Sequence, residues 1–275
     1  MNQIQGLELS KKIEEEVKQS TKGCIIRPSV AVIEIGDNEL VQKHVELKQK
    51  ACERADIYFR HFKYDETTSE LTIVNKIKEL NNDDYVNGIM IELPIPEKYN
   101  EKRLLNTIIN SKDIDGLTDI NVGRAIGGRK TIIPSTVMAI LTLIKENNIE
   151  LEGKEVVLVG KGKLVGKPLI FPLLNEGATV TVCHSRTLDL KKHTKEADII
   201  ISGAGVKNLI TEDMVKEDVI IIDAGYVIED GKIYGDVEES VSKKASLMTP
   251  KTGCIGPLSI SMFLKNIMTS YNSKK

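Results

Sequence analysis

Short runs of aliphatic and β-branched residues recur along this chain, each separated from the next by a stretch with helical spacing. The runs SVAVIEIG (29–36), GIMIEL (88–93), EVVLV (155–159), ATVTVC (178–183), DIIIS (198–202) and VIIID (219–223) are short and almost wholly apolar. They read as strands buried on both faces, which belong in parallel sheets covered by helices. Between them, residues 39–54, 69–82, 165–175 and 188–197 have helical spacing, as Leu71, Val74, Ile77 and Leu80 illustrate. Residues 57–64 alternate and read as a further strand, and 211–216 as a further helix. The alternation predicts βα units and an α/β class.

The rhythm breaks at 111–129, a stretch rich in Asp, Gly and Asn, and resumes after TVMAILTLIKENN (136–148), a strong helix. With 275 residues, two domains are expected: 1–120, completed by a C-terminal helix at 256–275, and 136–255. The amphipathic part of that helix, 257–271, has an apolar face to pack back on the first domain. Gly231 marks the turn of a hairpin ahead of 235–237.

Composition excludes several classes of function. A formal net charge of -2 and the lack of Trp give neither a positive field nor stacking platforms for nucleic acid. Cys24, Cys52, Cys183 and Cys254 form no CxxC pair, so neither a metal site nor a redox dithiol is expected. The N-terminal residues show no apolar signal core, and no apolar run reaches the ~20 residues of a membrane span. The expectation is a cytoplasmic protein.

In EVVLVGKGKLVGKP (155–168), an apolar strand ends at Gly160, Gly162 and Gly166 follow, and a helix begins. Gly160 allows a tight turn, Gly162 lets a pyrophosphate approach the backbone, and Gly166 lets helix and strand pack closely. The helix start attracts phosphates. The spacing is GxGxxxG, and a glycine-rich turn without a ligand has the same pattern. The next strand ends in Cys183-His184-Ser185-Arg186-Thr187, without the carboxylate that holds a ribose 2′-hydroxyl. Ser185, Arg186, Lys161 and Lys163 suit a 2′-phosphate, so NADP is expected over NAD.

In the first half, His44 and Lys48 are four apart and share a helix face. Glu92 lies at the carboxyl end of an apolar strand, where ligands of α/β sheets collect. Asp113 and Asp115 fall in KDIDG (112–116). A helix lysine is more often a solvated charge, and a strand-end glutamate often pairs with one, so spacing alone leaves both readings open.

Taken in order, these segments resemble the bifunctional methylenetetrahydrofolate dehydrogenase/methenyltetrahydrofolate cyclohydrolase family over nearly the whole chain. VQKHVELKQKAC looks like the family's SQxYVxxKxKAC, GIMIELPIP like GxxVQLPLP, and KDIDG like KDVDG. PSTVMAIL stands at P-C-T-P, GKGKLVGKP is similar to GRSxxVGxP, and ATVTVCHSRT to ATVTxCHSxT. DAGY stands at DVGI, GDV is retained, and TPKTGCIGPLS lies at TPVPGGVGPMT.

The resemblance implies an N-terminal folate-binding domain, a C-terminal Rossmann-like NAD(P)-binding domain with a cleft between them, and a homodimer. It implies oxidation of 5,10-methylenetetrahydrofolate by NADP, then hydrolysis of the methenyl cation to 10-formyltetrahydrofolate, in one-carbon metabolism that feeds purine biosynthesis. Lys48 matches the family's catalytic lysine and Asp115 its pterin-binding aspartate. His44, Glu92, Leu93, Gly253, Gly256 and Pro257 complete the implied folate site. Gly160, Lys161, Gly162, Val165, Gly166, Ser185, Arg186, Gly205 and Tyr226 form the implied cofactor site, with no metal.

The departures from the family pattern cluster at these sites. His44 stands for a tyrosine and Glu92 for a glutamine. A carboxylate beside Lys48 favours the ammonium and makes a poorer base. Lys161 and Gly162 stand for an Arg-Ser pair, keeping a charge but losing bidentate geometry. Val137, Thr252 and Cys254 replace Pro, Pro and Gly. Three alternatives are a monofunctional dehydrogenase, a weakly catalytic paralogue that binds folate or nucleotide, and a dehydrogenase of another small substrate.

Overall fold

The computed structural model describes residues 2–4 and 6–273. In chain order the elements are β1 (Asn2–Gln3), α1 (Gly6–Lys22), β2 (Ser29–Ile35), α2 (Glu39–Arg54), β3 (Tyr58–Tyr64), α3 (Glu70–Asn82), β4 (Gly88–Ile91), α4 (Glu101–Thr107), α5 (Asp119–Ile126) and α6 (Ser135–Glu146). There follow β5 (Glu155–Val159), α7 (Gly166–Asn175), β6 (Thr179–Cys183), α8 (Leu190–Thr194), β7 (Ile199–Ser202), β8 (Ile220–Asp223), β9 (Val227–Glu229), β10 (Lys232–Tyr234), β11 (Leu247–Met248) and α9 (Ile255–Asn272).

Contacts divide the chain into two compact units: Ser10–Ser135 with the stretch from Ile260 onward, and Thr136–Ser259 with the stretch up to Leu9. In the first, three parallel strands lie in the order β3-β2-β4. Strand β2 is buried along its whole length, so its side chains serve two cores in alternation. Val30 and Val32 join Met90, the α2 residues Val45, Ala51 and Cys52, and Phe263, Leu264 and Ile267 of α9. Ala31, Ile33 and Ile35 face Ile73, Val74, Ile77 and Leu80 of α3, with Leu104 and Leu105 of α4. The tail helix therefore packs on this sheet. It also donates from Asn266 Nδ2 to the carbonyls of Ile114 (2.9 Å) and Ile133 (3.0 Å), and from Ser270 Oγ to that of Ser111 (2.7 Å).

The second unit is a six-stranded parallel sheet in the order β1-β11-β8-β7-β5-β6. The chain leaves β5 toward β6 and later returns on the other side as β7, so the topological switch lies between β5 and β7. An α/β sheet takes a ligand at such a point, outside the carboxyl ends of the strands.

Three local expectations change. The helix expected over 188–197 is only Leu190–Thr194; its start is set by Asp189, which caps it by accepting from Lys192 N at 3.0 Å. The helix near 211–216 is a single 3-10 turn, Glu212–Met214. The stretch 111–129 contains α5, whose start is fixed by Thr118 and whose one buried residue is Asn121. Strand β1, within the span 1–120, pairs with β11 in the second unit's sheet.

Candidate active site

The first unit places Lys48, Glu92, Asp115 and His44 together. On β4, Met90 points into the α2/α9 core, so Glu92, two residues on, points the same way. Its N–H donates to Ile33 O at 2.9 Å, which holds this position in register just past the end of β4. On α2, the buried Val41, Val45 and Cys52 mark a stripe at helical spacing, and Lys48 falls within it. An ammonium in an apolar stripe needs a partner. It has the Glu92 carboxylate as ion pair and hydrogen-bond acceptor, and the Phe263 ring with its centroid 5.5 Å from Nζ. The Lys48 side chain is 15% exposed and that of Glu92 4%.

KDIDG divides its labour. Lys112 is buried and donates from Nζ to the carbonyls of Leu80 (2.8 Å), Asn81 (2.7 Å) and Asp83 (2.7 Å), closing the C-terminal end of α3. Asp113 accepts from Thr118 N (2.9 Å), Thr118 Oγ1 (2.7 Å) and Asn121 Nδ2 (2.9 Å), which builds the turn into α5. Ile114 enters the core. Gly116 takes φ +65, and a β-carbon there would lie 2.3 Å from Ile132 O. With its neighbours fixed, Asp115 is left half-buried and accepts no hydrogen bond from a described residue. Burial pushes its carboxyl up to about 7; Lys48 opposes that rise, while Glu92 and Asp113 add to it. Burial, and then the Lys48 ammonium, pull the His44 imidazole below its ordinary value, against the pull of Glu92.

The second unit presents a glycine crevice at the switch point. Gly160 has φ +113, and a β-carbon there would meet Gly203 O, at the end of β7, at 2.7 Å. Gly203 in turn lies under Val165, whose Cγ1 would be 3.0 Å from a β-carbon. Gly162 and Gly205 differ, because a β-carbon on either would have no described atom within 4 Å. Helix α7 begins at Gly166 after Val165, which supplies no side-chain cap; Lys167 N donates to Gly162 O at 3.0 Å and Pro168 has no N–H, so it is the Gly166 N–H that remains for an anion. After β6, Thr187 N donates to His184 O (2.8 Å) and Arg186 N to His184 Nδ1 (3.1 Å), a tight turn that exposes Ser185 and Arg186. Neither Arg186 nor the exposed Lys161 pairs with a carboxylate among the described residues. Open glycines, an uncapped helix start and unpaired cations fit a phosphorylated dinucleotide. Tyr226, 39% exposed, precedes β9.

Gly253, Gly256 and Pro257 belong to the second unit, at the start of α9, and Lys48 to the first. Sequence reading missed Asp236, whose buried carboxylate accepts from Ser202 Oγ (2.6 Å), Ala204 N (2.7 Å) and Val206 N (2.8 Å) and so fixes the loop after β7. The retained GDV was its signal. It also missed Phe263, which reads as one more apolar residue of an amphipathic helix.

Two known domain descriptions match the chain in succession. "Tetrahydrofolate dehydrogenase/cyclohydrolase, catalytic domain" matches residues 4–115, and "Tetrahydrofolate dehydrogenase/cyclohydrolase, NAD(P)-binding domain" matches 134–275. The bifunctional protein FolD of Campylobacter jejuni is 42% identical, over 100% of this chain and 99% of its own. The crystal structure of the bifunctional FolD dehydrogenase/cyclohydrolase from Campylobacter jejuni superposes with a TM-score of 0.96, at 42% identity and 99% coverage of each chain. The Trypanosoma brucei methylenetetrahydrofolate dehydrogenase-cyclohydrolase, solved with NADP and an inhibitor, gives a TM-score of 0.94 at 29% identity, over 99% of this chain and 98% of that one. The fold is thus that of a two-domain α/β oxidoreductase. The chain belongs to the tetrahydrofolate dehydrogenase/cyclohydrolase family.

Proposed function

We propose that the chain oxidises 5,10-methylenetetrahydrofolate with NADP and hydrolyses the methenyl product to 10-formyltetrahydrofolate. The observation that carries this reading is the grouping of Lys48, Glu92 and Asp115: a largely buried ammonium-carboxylate pair beside a carboxyl with free acceptor capacity.

Asp115 accepts from the pterin's amino and N–H groups and orients the ring. Lys48 borders the one-carbon unit and moves the proton when water adds. His44, held toward its neutral form, and Leu93, half-buried, flank the ring. Gly253, Gly256 and Pro257 are proposed as further folate contacts. Gly160, Gly162, Val165 and Gly166, with the Gly166 N–H at the start of α7, hold the pyrophosphate, and Gly205 and Tyr226 border the rest of the dinucleotide. Lys161, Ser185 and Arg186 grip the 2′-phosphate. When bound, NADP supplies the hydride acceptor.

A time course with 5,10-methylenetetrahydrofolate and NADP, following NADPH and the methenyl absorbance together, tests the reading. NADPH formation, with methenyl decay faster than its spontaneous hydrolysis, is expected. No NADPH overturns the oxidation, and methenyl accumulation overturns the hydrolysis.

The exposed Ile228 and Ile233 on the β9/β10 hairpin support a homodimer, which light scattering on the purified chain would test. All four cysteines are unpaired, which suits the reducing cytoplasm. No helix among the described residues is long and apolar enough to cross a membrane. The formyl product places the chain in one-carbon metabolism upstream of purine synthesis.

A further inference from the structure

The reacting carbon changes charge twice during the proposed sequence, and the site carries a fixed charge to meet it. Hydride departure takes a hydrogen nucleus and two electrons from the bridging carbon to a new C–H bond on the nicotinamide. One positive charge is left behind, shared between two nitrogens. Water then adds its oxygen to that carbon, and one carbon-nitrogen bond breaks. Of the water's two protons, one ends on the freed nitrogen and the other leaves to solvent, so the positive charge is gone. Methylene and formyl forms are neutral at this centre; only the methenyl form is a cation.

Beside the Lys48 ammonium stand the Glu92 carboxylate and the Asp115 carboxyl, which burial keeps partly protonated near neutral pH, so Glu92 is the fixed negative charge of the group. His44 adds no fixed positive charge, because burial favours its neutral form. Glu92 is itself the nearest partner of Lys48 and is almost completely shielded from water. A charge in that setting acts on a neighbouring cation with little screening. A glutamine there would keep the shape and remove one unit of negative charge.

We infer that Glu92 matches the site to the methenyl cation, so that it speeds hydride departure and slows the attack of water. The first transition state gains positive charge and the second loses it, so one fixed carboxylate acts on them in opposite directions. Such a site retains the cation in preference to either neutral folate and releases little of it between the two steps. This inference rests on the proposed folate chemistry.

The test uses the full chain and two separate assays: NADPH formation from 5,10-methylenetetrahydrofolate, and hydrolysis of 5,10-methenyltetrahydrofolate with no dinucleotide present. In Glu92→Gln, the first rate is expected to fall about tenfold and the kcat of the second to rise severalfold, with a raised KM for the cation. Glu92→Asp, which keeps the charge on a shorter arm, is expected to fall between the wild type and Glu92→Gln, with a faster first rate and a slower second rate than Glu92→Gln. Two rates that fall together in Glu92→Gln, or that do not move, overturn the inference, as does Glu92→Asp behaving like Glu92→Gln. If Glu92→Gln does not fold, rapid-mixing affinities of the wild type decide: equal binding of methenyltetrahydrofolate and neutral tetrahydrofolate overturns it. A wild-type chain inert in both assays overturns the proposed function and this inference with it.

Discussion

The α-carbon of Gly166 lies so close to Gly160 that a β-carbon on it would meet the Gly160 carbonyl oxygen at 2.1 Å. Both partners of that clash are backbone, so nothing can swing away. Gly162, four residues earlier, is open on every described side. Gly166→Ala should therefore destabilise the chain by about 2 kcal/mol or more, through overpacking. Gly162→Ala should leave the melting temperature within a degree or so while raising the KM for NADP, because its methyl enters ligand space. Paired thermal melts and cofactor titrations check this. Equal loss of stability in both variants would contradict it.

The carboxyl of Asp115 predicts a pH dependence. Its ordinary value is 3.8, and burial raises it to about 7 in the folded chain. Below the lower value both states are protonated and the group contributes nothing. Between the two values the folded chain keeps a proton that the unfolded chain releases. Stability then falls as pH rises, by at most about 1.4 kcal/mol per pH unit, and by less here because solvent reaches the half-buried group. The penalty is complete above about 7. Asp115→Asn should thus gain thermal stability over wild type at about pH 8 and lose that gain near pH 4. Asp223 is also raised to about 7, by burial first and Asp236 second, so the comparison must be made as mutant minus wild type. A pH-independent difference would refute this role.

Asp236 supports the dinucleotide site from behind, through its bonds to Ser202, Ala204 and Val206. Asp236→Asn turns one acceptor oxygen into a donor facing donors. The KM for NADP should rise about tenfold, with little change in hydrolysis of methenyltetrahydrofolate, which needs no dinucleotide. Parallel loss of both activities would make Asp236 a purely structural residue.

Lys112 commits one ammonium to three carbonyls. Lys112→Met removes the donor and strands those carbonyls, and should cost about 3 kcal/mol. Denaturant melts read this directly, and a loss below about 1 kcal/mol would show that water replaces the ammonium.

The strands and long helices were readable because each buries a face with its own period. The period places α2 at Glu39–Arg54 and β5 at Glu155–Val159, the bounds the sequence predicts. Helix α1 was passed over because its charge hides a stripe of only a few buried residues, Ile13 and Val17 among them. Helix α5 buries no apolar residue, its Ile120, Val122 and Ile126 being exposed; Thr118 and Asn121 fix it through hydrogen bonds. At the site, the chemistry of Lys48, Glu92 and Asp115 was legible from strand ends and helix spacing. The separate duties of Lys112 and Asp113 were not, because they depend on partners brought in from α3 and α5. Nor was Glu34, buried in β2 among valines and isoleucines and bound to His61 Nε2 at 2.8 Å across the strand.

The core shared by β2, β4 and α9 has a consequence for how the chain is made. Val30, Val32 and Met90 leave the ribosome long before Phe263, Leu264 and Ile267, which cover them. Domains usually fold in the order of their synthesis. Here the unit that emerges first must wait, with that face of its sheet covered by α1 and α2 alone, until α9 has been translated. Its nascent form is thus the natural client of a chaperone that shields apolar surface, and stalled synthesis before α9 would release an aggregation-prone fragment.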